Sequence, residues 1–218
     1  MMRVLVFAPH NDDEVLGVGG TIAKLSKRGD DVFVCEVTSW LENLEQTNSI
    51  KKEALNAHNI LGVKDTIFLD LPVVHLKETS THIKNQKFLE VVKYIEPEIA
   101  FIPHVGDMHV DHGETAQSAM VALRPMINPK LKAIYTYETL SETEWNIPCV
   151  SNSFIPNVWS DISMDYSMKV EAMKCFKSQL NQFPHPRSIE AIEALAKLRG
   201  STIGVKYAES FVCVRERF

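Results

Sequence analysis

Two short stretches gather most of the groups in this chain that can do chemistry. In the first, His10-Asn11-Asp12-Asp13 packs an imidazole and two adjacent carboxylates into four positions, with Glu14 next. Such groups repel one another and bring no apolar area to a core, so folding around them is costly. A divalent cation removes the objection, because it offsets the like charge and takes an imidazole nitrogen and a carboxylate oxygen as ligands. The second stretch runs from Pro103 to Gly113 and holds His104, Asp107, His109, Asp111 and His112. Both compositions point to a metal site.

The elements around them say how the two could meet. The first stretch follows the apolar run Val4-Leu5-Val6-Phe7 and precedes Val15-Leu16-Gly17-Val18-Gly19-Gly20. That is the order of a buried strand, a polar turn and a Gly-rich helix start. The second follows the strand-like Ile99-Ala100-Phe101-Ile102. Strands are predicted at residues 3–8, 32–37, 66–69, 99–102, 133–137 and 208–214, with a short extra one at 158–162. Helices are predicted at 14–28, 49–61, 81–95, 114–123 and 164–180, and from a Ser188 cap to about 199. This alternation predicts an α/β fold with a mostly parallel sheet. In such sheets ligands bind outside the carboxyl ends of strands where the strand order reverses. With the order 3-2-1-4-5, strands one and four flank that point, and both polar clusters face one crevice.

The chain has 218 residues, 45% apolar and 23% charged, which suits a single globular domain. Residues from about 139 onward, with Pro148 and Pro156, read as loops and helices that cover the site. A net charge of -5 and a pI near 5.9 lack the basic footprint of a nucleic-acid binder. No apolar run reaches the roughly 18 residues of a membrane span. Met1-Met2-Arg3 leads directly into strand-like sequence, so no signal peptide and a cytoplasmic location are expected. Cys35, Cys149, Cys175 and Cys213 are far apart and mostly inside apolar patterns, which predicts buried free thiols.

His10-Asn11-Asp12-Asp13-Glu14 resembles the His-Pro-Asp-Asp-Glu signature of the LmbE-like, GlcNAc-PI de-N-acetylase (PIG-L) family. His109-Val110-Asp111-His112 resembles its second signature, and Gly19-Gly20-Thr21 and Pro184-His185-Pro186-Arg187 extend the likeness over most of the chain. The resemblance implies a Rossmann-like three-layer sandwich and a zinc-dependent deacetylase acting on N-acetylated sugars or their conjugates. It also implies a homo-oligomer, a trimer or hexamer. Residue by residue, it makes His10, Asp13 and His112 the metal ligands and Asp12 the general base. Asn11 replaces the family's proline, which changes the stiffness of the turn and leaves every ligand in place. The ligand types also suit iron, manganese or cobalt.

Those roles are chemically coherent. Two imidazoles and one carboxylate leave an open position for water, as in a catalytic zinc site. Asp12 is expected to accept a proton as that water attacks an acetamide carbonyl. His109 is expected to support the oxyanion and protonate the departing amine, with Asp111 holding its imidazole charged and oriented. The bland alternatives are a polar turn without metal for His10, Asp13 and His112, and helix-start residues for His109 and Asp111.

Four further residues are candidate substrate contacts: Trp40, Lys51, His185 and Arg187. Trp40 reads as a stacking platform or a packing anchor. Lys51 stands near where related enzymes carry an arginine, and otherwise belongs to a solvated helix face. His185 and Arg187 lie in a proline-fixed loop that points to this site, to a neighbouring subunit's, or only to a helix cap. Gly17, Gly19 and Gly20 do not complete the GxGxxG spacing, so close packing accounts for them better than a nucleotide does. A metal-assisted hydrolase of a non-sugar acylamide, and a non-catalytic sugar-nucleotide or dinucleotide module, are the rival functions.

Overall fold

The alternation in Val4-Leu5-Val6-Phe7 decides the layering. In the computed structural model, which describes residues 1–217, this run lies in β1 (Arg3–Ala8) and is buried throughout. Successive strand side chains point to opposite faces. Val4 and Val6 therefore enter one apolar core, and Leu5 and Phe7 enter the other. β1 pairs in parallel with β2 (Asp31–Ser39) and β4 (Ile99–Pro103). β3 (Asp65–Pro72) and β5 (Ala133–Tyr137) extend the parallel sheet on either side. β7 (Ala208–Glu216) is antiparallel to β5, and β6 (Val158–Asp161) is antiparallel to β7, giving the order β3-β2-β1-β4-β5-β7-β6.

Helices α1 (Asp13–Lys27), α2 (Leu44–Leu61), α5 (Tyr166–Met173) and α6 (Ile189–Ile203) cover one face of the sheet. Helices α3 (Thr81–Ile95) and α4 (Val110–Ala122) cover the other. The fold is thus the expected three-layer α/β sandwich with the parallel order 3-2-1-4-5, lengthened by two antiparallel strands. Among the described residues no helix is long and apolar enough to cross a membrane.

The glycines of α1 are packing positions. A Cβ on Gly17 would stand 2.2 Å from the Tyr137 ring, and one on Gly20 would stand 2.7 Å from Ile162 Cδ1. A buried ion pair fills the space alongside. Lys169 Nζ donates to Leu16 O at 2.7 Å and to Glu209 Oε1 at 2.6 Å. Glu209 in turn accepts the Gly20 and Thr21 N–H groups at 2.9 and 2.8 Å. The late strand β7 is locked to the first helix in this way.

Among the boundaries that differ from expectation, those of three helices bear on the site. α2 starts at Leu44 rather than near Ser49, because Asn43 Oδ1 caps it by accepting the Gln46 N–H at 3.0 Å. α4 starts at Val110 rather than Glu114, with His109 as its cap, which puts Asp111 and His112 on the first helical turn. α5 ends at Met173 rather than near Leu180, and the turns that follow bring Gln179 to the cleft described below. All four cysteines are free, but only Cys35 is buried; Cys149 is exposed and Cys175 and Cys213 are half-buried.

Candidate metal centre

β1 ends at Ala8 and α1 starts at Asp13, so residues 9–12 must turn the chain sharply. Asp12 absorbs the turn at φ 143, a region that side chains other than glycine rarely adopt. Glu14 steadies it by accepting the Asp12 N–H at 3.1 Å, and His58 Nε2 lies 3.1 Å from the other Glu14 oxygen. Burial beside Glu14 pushes the nearby Glu36 carboxyl well above its usual range. The neighbouring strand β4 ends at Pro103, and its loop leads into α4 beside this turn. The reversal point of the strand order therefore brings the two polar clusters together.

At their junction Asp13 Oδ2 lies 3.3 Å from His10 Nδ1 and 3.2 Å from His112 Nε2. Bonds of about 2.0–2.2 Å at tetrahedral angles separate neighbouring donor atoms by roughly 3.3–3.5 Å, so the three atoms are spaced for one cation. His112 Nε2 and Asp13 Oδ1 are buried and make no hydrogen bond. Orphaned buried groups of this kind call for a partner. The residues fit a divalent ion of the zinc type.

Each imidazole is backed by a carboxylate on its far side. Asp107 Oδ2 lies 2.8 Å from His112 Nδ1, and Thr143 Oγ1 donates to the other Asp107 oxygen at 2.6 Å. Asp111 Oδ2 lies 3.3 Å from His10 Nε2 and accepts the Val74 N–H at 2.7 Å. Such partners fix the orientation and tautomer of metal-ligating histidines. Burial lowers imidazole pKa values, but Asp13 and Asp107 outweigh it and lift His112 to about 10. Hydrogen bonds to Asp111 and Asp13 likewise lift His10 to about 9. Burial pushes Asp13 up, yet His112 and His10 hold it well below the carboxylate range. In the cation-free protein, protons on two imidazoles balance the carboxylates.

The expectation that Asp111 keeps His109 charged is corrected here. Asp111 spends its carboxylate on His10 and Val74, and its oxygen stands 3.9 Å from His109 Nδ1. His109 Nδ1 instead accepts the Asp111 N–H at 3.2 Å, which leaves the ring proton on Nε2. Burial and the neighbouring His10 lower the His109 pKa to about 4. His109 is a neutral donor that also caps α4, so the helix-start reading and the functional one describe the same residue.

Arg187 reaches this site within its own chain. Its NH1 donates to Asp12 Oδ2 at 3.0 Å and to Gln179 Oε1 at 3.0 Å, and its Nε donates to Ser141 Oγ at 2.8 Å. Asp12 Oδ1 is buried and unpartnered. Burial raises Asp12 and Arg187 opposes it, leaving the carboxyl at about 7. The floor made by His10, Asp12 and His109 opens into a cleft of about 240 Å³ whose walls include Trp40, Glu142 and Arg187.

Two expected substrate contacts lie elsewhere. Lys51 Nζ turns to Asp70, 2.5 Å away, over the Phe68 ring, and does not line the cleft. His185 accepts the Arg187 N–H through Nδ1 at 3.0 Å and meets the Trp145 ring, so it shapes the loop. Sequence reasoning did not single out Asp107, Glu142 or Gln179. Asp107 stands five positions before His112 in the same polar cluster, which is a usable signal. Glu142 and Gln179 lie in irregular segments whose register no local pattern fixes.

Known proteins share this arrangement of chain. The uncharacterized deacetylase YaiS of Escherichia coli is 27% identical over 185 residues, covering 80% of this chain and 90% of its own. A probable N-acetyl-alpha-D-glucosaminyl L-malate deacetylase 2 of Bacillus cereus is 26% identical over 81% of this chain and 83% of its own. The conserved protein TT1542 from Thermus thermophilus superposes with a TM-score of 0.81 at 26% identity, over 100% of this chain and 97% of that one. The model of the PIG-L, GlcNAc-PI de-N-acetylase family matches residues 5–123, the stretch that holds both polar clusters, and the chain belongs to that family.

Proposed function

We propose that this protein is a metal-dependent N-deacetylase that hydrolyses the acetamide of an N-acetylglucosamine-type sugar or conjugate to acetate and a free amine. The observation that carries the reading is the pairing of the unpartnered atoms His112 Nε2 and Asp13 Oδ1 with a buried, unpartnered oxygen of Asp12 at the cleft floor. His10 Nδ1, Asp13 Oδ2 and His112 Nε2 are the atoms that would hold the ion, with zinc the first candidate. When bound, such an ion polarises a carbonyl and acidifies a coordinated water to a pKa near ~7.

The chain's own groups supply the proton handling. Asp12 Oδ1 accepts a proton from the water whose oxygen adds to the acetamide carbon. Arg187 opposes the upward push of burial on that carboxyl and aims it. His109 donates its Nε2–H to the carbonyl oxygen as negative charge gathers there. The C–N bond then breaks and the departing nitrogen takes its proton from Asp12, which the arrangement at His109 leaves as the group with one to give. Cleavage leaves acetic acid and amine, the acid passes its proton to the amine, and the reaction ends with acetate and an ammonium group while Asp12 is ionised again.

The test is acetate release from zinc-loaded protein offered N-acetylglucosamine glycosides, with His10→Ala and Asp12→Asn variants compared by thermal melt. Asp12→Asn is expected to lower kcat by about 10²–10⁴ while leaving the fold intact. Undiminished turnover in either variant refutes the reading.

A further inference from the structure

A second group of ligand-type side chains lies inside the protein, beside the turn that carries Asp12. Val32 and Val34 of β2 enter the core shared with α1 and α2, and Glu36 is the next side chain on that face. Glu36 is buried there at 1% exposure, with Glu14 of α1 at 0% and His58 of α2 at 2%. His58 Nε2 lies 3.1 Å from Glu14 Oε1 and 3.5 Å from Glu36 Oε1. Both Glu36 oxygens are buried without a hydrogen-bond donor among the described residues. Two carboxylates in such surroundings are costly unless positive charge meets them, and one imidazole supplies at most one of the two charges. None of the three side chains lines the cleft.

The donor atoms are spaced for an ion. Ligands of one tetrahedral cation stand roughly 3.3–3.5 Å apart. The three atoms lie within 4.8 Å of one another, at 3.1 and 3.5 Å along the two sides that meet at His58. Glu36 has two open oxygens, so with Glu14 Oε1 and His58 Nε2 the cluster offers four donors. On the far side of the ring Thr66 Oγ1 lies 2.8 Å from His58 Nδ1, and a proton held there leaves the Nε2 lone pair for a metal. One dication also balances the two carboxylates. We propose that Glu14, Glu36 and His58 form a second, structural site for a divalent cation of the zinc type, closed to substrate. Its role follows from Glu14, whose other oxygen accepts the Asp12 N–H at 3.1 Å. The ion ties β2 and α2 to the turn that holds Asp12 at φ 143.

The rival occupant is a proton shared between Glu14 and Glu36. Glu36→Gln separates the two, because an amide matches a protonated carboxyl in shape and charge but brings no charge to a cation. Protein is refolded in zinc, so that the buried cluster fills as it forms, then dialysed, and its metal is counted by elemental analysis. Glu36→Gln is expected to hold one ion per chain fewer than the wild type. A wild-type crystal is expected to show a zinc-edge anomalous peak between Glu14, Glu36 and His58. A His10→Ala/His112→Ala protein, stripped of two candidate ligands at the cleft, is expected to keep one ion and to melt higher than the same protein refolded with chelator. An undiminished count in Glu36→Gln, no ion in the double variant, or no peak among the three side chains overturns the site. If Glu36→Gln does not fold, the double variant and the anomalous peak still decide the matter.

Discussion

Metal binding at this site should be strongly proton-coupled. In the cation-free protein His10 and His112 titrate at about 9 and about 10, so both carry a proton at pH 7.5. A metal ligand must be a neutral imidazole, and binding therefore expels about two protons. Each bound proton costs 1.36 kcal/mol per pH unit, so the association constant should rise about 100-fold per pH unit between roughly 7.5 and 8.5. The slope should flatten as pH passes through about 9 and about 10. Working above pH 7.5 keeps Asp12, at about 7, out of the count. Ordinary histidines near 6.5 predict almost no slope in the same window. The assay is competition with a chromophoric zinc chelator of known proton affinity, read in half-unit pH steps. A slope below about half a decade per unit would refute the claim that the outer carboxylates hold protons on these rings.

Three further outcomes follow from the same contacts. Asp107→Asn removes one of the carboxylates that hold a proton on His112 and should flatten the pH slope of metal binding in that competition assay. Without metal, the raised imidazoles stabilise the fold fully below the unfolded pKa near 6.5. That contribution is lost as pH climbs through about 9 and about 10, so the melting temperature of chelated protein should fall across this range more than that of loaded protein. Gly17→Ala, with its Cβ 2.2 Å from the Tyr137 ring, should cost about 1–3 kcal/mol of stability in denaturant melts.

How much of this was legible in the sequence depends on how local each determinant is. The strand order and the meeting of the clusters followed from apolar periodicity and from the single reversal that such a sheet allows. The role of Asp111 did not. It sits next to His112 and two residues from His109, so spacing invites a partnership with His109. The early start of α4 rotates its carboxylate onto His10 instead, 3.3 Å away and 101 positions earlier. A helix boundary displaced by four residues thus redirected a carboxylate from one imidazole to another. Lys51 failed for a similar reason, because nothing beside it in sequence reveals that β3 presents Asp70 at 2.5 Å.

The same distinction separates the chemistry of the site from its selectivity. The three candidate ligand atoms and both backing carboxylates lie between His10 and His112, inside the stretch matched by the family model. Glu142, Gln179 and Arg187, which close the far wall, come from beyond residue 123. Arg187 joins the two halves, since one guanidinium reaches Asp12 from the early segment and Ser141 and Gln179 from the late one. A change in the late segment can therefore reshape the cleft while the candidate metal-holding atoms stay as they are. It cannot move Arg187 without also disturbing Asp12, the proposed proton acceptor, so on the proposed mechanism a change that alters the far wall also alters the rate.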